Sequence, residues 1–244
     1  MMQTLDSKTI TVDAIMDELK AKGNESYKKI FIKHGAKEPL YGVKVEDLKR
    51  IQRNIKKDYD LAMELYRTGN SDAMYLAGLV ADERKMRRKD LNEWVKAANW
   101  YMLSEYTVAW IAAESTHGWE MGTEWIDNKQ ENIAAAGWST LSHCVSMTTD
   151  DKLNLKQIEL LLKRIVKDIH ESQNRVRYTM NGFVIAVGTY IPSLKAKALE
   201  AGKAIGKVNV DMGGTACKVP DVAEYIEKNA TRAKVGFKKK TVRC

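Results

Sequence analysis

The sequence is poor in the residues that build disulfide frameworks and metal centres. It has only three cysteines, Cys144, Cys217 and Cys244, and its four histidines are scattered along the chain. An odd number of cysteines at unrelated spacings, with no CxxC pair, indicates neither a disulfide scaffold nor a zinc ribbon. We therefore expect reduced thiols, no metal site and no cofactor.

Long apolar runs are missing as well. No run approaches the roughly 18 residues that a membrane-spanning helix needs. The first segment, MMQTLDSKTITVDAIMDELK, lacks the apolar stretch behind a basic start that marks a secretory signal. These absences lead us to expect a cytoplasmic protein.

Proline is scarce and strand-like alternation is absent. The chain contains three prolines, and apolar residues recur at the i, i+3, i+4 spacing of amphipathic helices. In VEDLKRIQRNIKK, for example, one stripe is formed by Val45, Leu48, Ile51 and Ile55. No run alternates between apolar and polar residues and ends in a hairpin turn. The pattern predicts an all-α fold.

Local signals predict several helix boundaries. Thr11 precedes the first periodic stretch and is a predicted N-cap, and Ser193 is placed in the same way after Pro192. Gly69 and Asn70 follow another stretch and predict a left-handed helix end.

The lengths of the helices and of the breaks between them favour antiparallel helix pairs. Predicted helices of about a dozen or more residues are joined by breaks of about two to six residues. About six such pairs fit the chain, at the period of about 40 residues typical of HEAT repeats. We predict a HEAT-like helical-repeat solenoid forming one domain over residues 1–230, followed by a basic tail at 231–244. Because no internal sequence repeat is evident, a compact helical bundle is the alternative.

Positive charge is concentrated near the end of the chain. The net charge is +8, and residues 174–244 alone contain 14 Lys and Arg against 5 Asp and Glu. The last segment, TRAKVGFKKKTVRC, has six basic side chains and no acid. A one-sided basic region indicates a polyanionic partner such as nucleic acid. A tail that only aids solubility is the alternative.

Basic residues in this last third are the predicted contacts to DNA phosphates, which hold a protein on DNA without reading its sequence. They are Arg175, Arg177, Lys195, Lys203, Lys207 and Lys218. Lys218 lies in DMGGTACKVP, which lacks the GxxxxGK[ST] order of a nucleotide-binding loop and predicts a tight turn before a helix. An ordinary solvated face is the alternative for these side chains.

Four stretches resemble, in order, the AlkD-like DNA alkylation repair glycosylase family. They are AKEPLYGVKVEDLKRI, SDAMYLAGLVADERKM, WVKAANWYMLSEYTVAWIA and RYTMNGFVIAVGTYIP, covering about residues 35–192, and YGVKVEDLK is the most specific. The resemblance implies a HEAT-like solenoid that holds duplex DNA on a basic concave face. It also implies excision of N3- or N7-alkylated purines without a deep base pocket.

The resemblance also implies candidate catalytic residues. In NWYMLSEY, Tyr101 and Glu105 match the family's aromatic residue and catalytic aspartate, Trp100 is a candidate DNA contact, and Phe183 matches a later site aromatic. A carboxylate can stabilise the oxocarbenium-like sugar of base excision, and each ring can add about 0.5–2 kcal/mol of cation–π attraction. Tyr and Phe replace Trp, and Glu replaces Asp. The stretch ENIAAAGW offers no counterpart to the family's arginine.

Each of these residues has a plainer interpretation, and three functions stay open. Tyr101 could pack between helices, Glu105 could be a surface ion-pair partner, and Phe183 could belong to the core. The chain could be a DNA-binding repair protein that acts as an N-glycosylase on alkylated duplex DNA. It could be a non-enzymatic binder of bent or branched DNA with a degenerate site, or a protein-binding scaffold. The preferred lesion and the oligomeric state are open too.

Overall fold

All regular structure in the described part of the chain is helical. The computed structural model describes residues 10–231 and 236–243, and no strand occurs among them. The all-α prediction is confirmed. The α-helices are Val12–Ala21 (α1), Glu25–Lys33 (α2), Val45–Ile55 (α3), Tyr59–Arg67 (α4), Ser71–Val80 (α5), Arg88–Ala97 (α6), Ala109–Glu114 (α7), Gly118–Trp125 (α8), Glu131–Met147 (α9), Leu155–Asp168 (α10), Asn174–Tyr190 (α11), Lys195–Ile205 (α12) and Val222–Thr231 (α13).

The helices stack in two layers. In one layer α5, a π-helix at Met102–Val108, α9, α11 and α13 lie side by side in chain order. Helices of the second layer pack against them, with α4 on α5, α6 on the π-helix, α8 on α9 and α12 on α11. This succession of helix pairs confirms the predicted HEAT-like solenoid and argues against a compact bundle. Within the described ranges, no helix is long and apolar enough to cross a membrane.

Two hydrophobic cores share the central helix α9. Ile133 and Ala136 face a core built mainly from the first half of the chain, whereas Ala135 and Trp138 face a core built from the second half. A Cβ atom at Gly137 would lie 2.7 Å from the backbone nitrogen of Ile126, at the C-terminal end of α8, so α8 and α9 approach too closely for a larger residue. The AAAG stretch thus lets one helix serve both cores.

The predicted helix boundaries are confirmed in two cases and wrong in one. Thr11 caps α1 by accepting a hydrogen bond from the Ala14 amide at 3.2 Å. Gly69 follows α4 with a φ of +70°. Ser193, by contrast, lies inside the 3₁₀ turn Pro192–Leu194, and α12 begins only at Lys195. The N-cap of α12 is Leu194, so Ser193 lies one residue too early to cap this helix.

The loop that contains YGV is fastened to two helices. The Asp72 carboxylate, at the start of α5, accepts hydrogen bonds from the backbone amides of Tyr41 (2.6 Å), Gly42 (3.1 Å) and Val43 (2.9 Å). Gly42 has a φ of +77°, and a Cβ atom there would lie 2.5 Å from the backbone nitrogen of Lys28 in α2. The loop therefore sets the position of α2, whose C-terminal end borders the site described below.

Replacing Gly42 tests this constraint. We expect Gly42→Ala to lower the free energy of unfolding by about 3 kcal/mol, because it adds a backbone clash to the cost of a left-handed residue. Gly35→Ala is the matched control, since Gly35 has a φ of +92° but nothing within 4 Å of an added Cβ, and it should cost about 1 kcal/mol. Urea unfolding followed by circular dichroism measures both, and equal losses would contradict the clash.

The last described residues run back along the solenoid. The Gly236 amide donates to the Thr189 carbonyl at 2.9 Å, and the Lys239 amide donates to the Ser146 carbonyl at 2.8 Å. Val242 then joins the first of the two cores. Residues 236–243 therefore contact helices from both halves of the molecule.

Arg243 anchors this segment. Its guanidinium forms ion pairs with Glu83 and Glu114, and it donates to the Ala81 carbonyl at 2.7 Å. Of the six basic side chains predicted in the tail, Arg232 and Lys234 lie outside the described residues. Arg243 contributes to folding contacts and not to a free basic surface.

Candidate functional site

The segment NWYMLSEY begins a π-helix. The sequence predicts an ordinary α-helix here, but Tyr101 is the N-cap of the π-helix Met102–Val108, which contains Glu105. The Thr107 hydroxyl donates to the carbonyl of Met102, five residues earlier, at 3.2 Å. The backbone turns of a π-helix, with hydrogen bonds between residues five apart, are rare and occur frequently at functional sites. The wide turn places Tyr101 and Glu105 beside the same partner.

That partner is Arg175, at the start of α11. Its Nε donates to Glu105 Oε1 at 2.7 Å and its Nη2 donates to Glu105 Oε2 at 2.5 Å, a bidentate ion pair. Glu105 is only 2% exposed. Both oxygens of the candidate catalytic carboxylate are therefore occupied by a cation from the same chain.

Two tyrosine rings lie against this guanidinium. The Arg175 Cζ is 4.5 Å from the centre of the Tyr101 ring and 4.4 Å from the centre of the Tyr178 ring. Tyr178 follows Arg175 by three residues, so both lie on one side of α11. The cation is held by two rings and a carboxylate, and this arrangement is called the Arg175 cage below.

Three members of the Arg175 cage, namely Tyr101, Glu105 and Arg175, line a cleft of about 480 Å³ between the end of α2, the starts of α9 and α11, and the segment 211–213. Asn174 fastens that segment through two hydrogen bonds with the backbone of Asp211, at 2.7 and 2.9 Å. Lys33 and Lys37 line the cleft and are exposed. Glu131 also lines it, so the interior has charges of both signs.

Trp100 and Tyr101 also border a second, more apolar cavity of about 210 Å³. The Trp100 ring centre is 5.9 Å from that of Phe31, and the Tyr101 hydroxyl is 3.1 Å from His34 Nδ1. These contacts attach the start of the π-helix to α2. The Tyr101 side chain is therefore a packing ring as well as a wall of the cleft.

The structure does not bring Phe183 to the cleft. Its side chain is fully buried in the second core, with its ring centre 5.5 Å from that of Trp138. This burial corrects the expectation of a site aromatic at this position, because a side chain enclosed in the core cannot reach DNA. The aromatic of α11 that contacts the Arg175 guanidinium is Tyr178, which the sequence analysis missed. Its i, i+3 spacing from Arg175 was the available signal.

The predicted phosphate contacts fall into different surroundings. Arg175 is paired with Glu105, and Lys195 is paired with Glu227 at 3.1 Å. Arg177 is partly buried. Lys203 and Lys207 are exposed and line a groove between α12 and the segment 208–221. Lys218, within that segment, is exposed as well. Within residues 10–231 and 236–243, no group of His, Cys, Asp and Glu side chains could hold a metal ion.

Burial has the largest influence on the pKa of Glu105. Removal from water raises the pKa of Glu105 to about 6, although the hydrogen bonds from Arg175 oppose this rise. Burial lowers the pKa of Arg175, but the hydrogen bonds with Glu105 and the attraction of its charge, together with smaller contributions from Tyr178 and Tyr101, raise this pKa on balance. At neutral pH both groups are ionised, and the pair is a buried salt bridge.

Comparison with known families identifies the scaffold. The family model described as DNA alkylation repair enzyme matches residues 15–232. The chain belongs to this family. The family resemblance inferred from the sequence is thereby confirmed over most of the chain.

Relatives within the family are similar over their whole length. The chain is 37% identical to the uncharacterized protein Lin0241 of Listeria innocua over 229 residues, covering 91% of this chain and 99% of that protein. It is also 37% identical to the uncharacterized protein Lmo0209 of Listeria monocytogenes over 231 residues, covering 92% and 100%.

A solved structure has the same architecture. It is described as "a new family of proteins related to the HEAT-like repeat DNA glycosylases with affinity for branched DNA structures". The TM-score is 0.88 at 36% identity, covering 96% of this chain and 100% of that chain.

The raised pKa of Glu105 predicts a pH-dependent stability. Because the folded state holds this proton more tightly than the unfolded state, the contribution is fully present below about pH 4.5 and is lost as the pH rises through about 6. Relative to Glu105→Gln, which cannot titrate, the wild-type free energy of unfolding should fall by about 2 kcal/mol between pH 4.5 and 7. Urea unfolding at several pH values measures this, and parallel profiles for the two proteins would contradict it.

Proposed function

We propose that this protein binds branched DNA along the rims of its cleft and does not excise alkylated bases. The observation that carries the proposal is the bidentate pair between Glu105 and Arg175. It supports the non-enzymatic one of the two DNA-binding functions that the sequence left open.

Base excision needs a carboxylate that can face the sugar. Positive charge develops on the deoxyribose, and a free carboxylate nearby stabilises it or positions a water molecule. Glu105 is buried and both of its oxygens accept hydrogen bonds from Arg175. A neutralised carboxylate gives little electrostatic stabilisation to a second cation. The family scaffold is therefore used here for binding.

The support for DNA binding comes from the family, a relative and the placement of lysines. A relative with a TM-score of 0.88 is described as having affinity for branched DNA structures. In this chain, Lys33 and Lys37 lie at the end of α2, while Lys203 and Lys207 lie beside the segment 208–221. The cleft and the neighbouring groove share Met212 as a lining residue. Basic side chains on both suit a partner with separate phosphate backbones, because each can hold one arm.

Binding is tested with a three-way junction and a linear duplex of the same length. We expect tighter binding of the junction, with an affinity that falls steeply as salt rises. The double variant Lys33→Ala/Lys37→Ala should reduce the salt slope by about 2, one unit for each lost phosphate contact. Lys163→Ala/Lys167→Ala is the matched control, because both lysines are exposed on α10, away from the cleft. Equal effects of the two double variants would contradict binding at the rim.

Excision is tested separately with a duplex that carries one 7-methylguanine. Under single-turnover conditions, base release with the wild-type protein should equal the spontaneous rate of the DNA alone. Faster release that falls at least about tenfold in Glu105→Gln would overturn the non-enzymatic proposal and make Glu105 a catalytic residue.

A further inference from the structure

We propose that residues 236–243 are an internal peptide ligand that closes as a releasable clamp on the C-terminal ends of α5, α7, α9 and α11, and that this clamp sets the spacing of the helices at the cleft. The contacts that form the clamp lie outside the cleft. The proposal therefore does not depend on what the cleft binds.

The four helix ends offer a row of oxygen acceptors. The last carbonyl groups of an α-helix have no partner within the helix, and they form the negative end of its dipole. The acceptors on this edge belong to Thr189 in α11, Val145 and Ser146 in α9, Glu114 in α7 and Ala81 directly after α5. Carbonyl and carboxylate oxygens in a row suit an extended basic peptide.

The first part of the clamp binds the ends of α9 and α11. Lys238 Nζ donates to the Val145 carbonyl at 3.0 Å and forms an ion pair with Asp150 at 2.8 Å. Lys239 Nζ lies 5.5 Å from the centre of the Tyr190 ring, at the last residue of α11. Two consecutive lysines thus contact the ends of two neighbouring helices.

The second part of the clamp binds the ends of α5 and α7. The Val242 amide donates to Glu114 Oε1 at 2.9 Å, and Arg243 Nε donates to Glu114 Oε2 at 2.8 Å. The same guanidinium donates to the Ala81 carbonyl at 2.7 Å and to the Glu83 carboxylate. Because α5 and α7 precede α9 and α11 in the layer, the clamp joins helices from both halves of the molecule.

The cleft lies at the opposite ends of the same row of helices. Tyr101 is the N-cap of the π-helix that α7 continues, Glu131 begins α9, and Arg175 is the second residue of α11. All three line the cleft. α9 and α11 each have 17 residues, and a helix of that length measures about 25 Å. Because such a helix moves as a rod, a change at the clamped ends changes the spacing at the cleft.

The clamp can open while the rest of the fold stays in place. Within residues 236–243, Val242 is the one buried side chain, whereas Phe237 is 75% exposed. The segment is therefore held mainly by ion pairs and hydrogen bonds. Segments with few buried apolar contacts open at a lower free energy than a core. Salt weakens partly exposed ion pairs, because the screening length falls from about 10 Å at 0.1 M to about 3 Å at 1 M.

The spacing at the cleft is measured between spin labels at Lys37→Cys and Gln173→Cys, two exposed positions. Lys37 reports the start of α5, because the Ser71 hydroxyl donates to the Lys37 carbonyl at 3.3 Å. Gln173 is the N-cap of α11. Cys217→Ser and Cys244→Ser remove two competing thiols, and the whole chain is used.

In this labelled protein, Arg243→Ala is compared with Arg88→Ala. The two arginines are matched because each pairs with two glutamates, but Arg88 joins Glu120 and Glu124 of α8, away from the clamp. We expect Arg243→Ala to broaden the distance distribution and to move its mean by about 2 Å or more, and Arg88→Ala to leave it unchanged. Amide hydrogen exchange in residues 236–243 should become at least about tenfold faster in Arg243→Ala alone.

Salt opens the clamp without a substitution in it. Raising NaCl from about 0.1 M to about 1 M should speed amide exchange in residues 236–243 of the labelled protein. The distance between the labels should then move in the same direction as in Arg243→Ala.

Each remaining outcome has a definite meaning. Unchanged exchange in residues 236–243 of Arg243→Ala would overturn the clamp. Faster exchange with an unchanged distance would overturn its effect on the cleft, and an equal shift in Arg88→Ala would overturn its specificity. If Arg243→Ala does not fold, the salt measurement decides, because a moved distance supports the proposal and an unchanged one overturns it.

Discussion

The buried pair between Glu105 and Arg175 is the interaction on which the arrangement of the cleft depends. Glu105 belongs to the π-helix of the first core, and Arg175 begins a helix of the second core. The central helix α9 lies beside both, since Ser139 donates to the Glu105 carbonyl and Glu131 accepts from the Arg175 amide. A buried charge is tolerated only when it is paired. The pair therefore fixes three neighbouring helices, and with them the two tyrosine rings.

The same pair is the basis of the proposed non-enzymatic function. A carboxylate at this place suits excision of a cationic base only when it is free to meet the charge that develops on the sugar. Here the protein supplies the cation itself. A shared fold does not imply a shared activity, because activity depends on the groups in the site. The proposed non-enzymatic function depends on one arginine on α11, which pairs with the candidate carboxylate.

The excess of positive charge also has more than one use. From the sequence pattern, the basic residues of the last third are all interpreted as contacts to a polyanionic partner. In the structure Arg175, Lys195 and Arg243 form ion pairs within the chain. Lys203 and Lys207 are exposed and take no part in these three sets of ion pairs. Net charge thus overstates the surface that is free to meet phosphates, because it counts structural and exposed side chains alike.

Sequence alone determined the features that depend on neighbours along the chain. Apolar periodicity fixed the helices, short breaks fixed their pairing, and Thr11 and Gly69 marked helix ends. The family motifs led to Glu105 as a site residue, and it does lie in the cleft. These signals are local, so one sequence suffices to read them.

Only the tertiary structure decided what surrounds Glu105. Its partner lies 70 residues away, and no spacing along the chain relates the two. The same holds for Phe183 and Tyr178, because the packing of α11 decides which aromatic enters the core and which contacts the Arg175 guanidinium. Charge pairing and burial are set by contacts between distant segments, and these exist only once the helices have stacked.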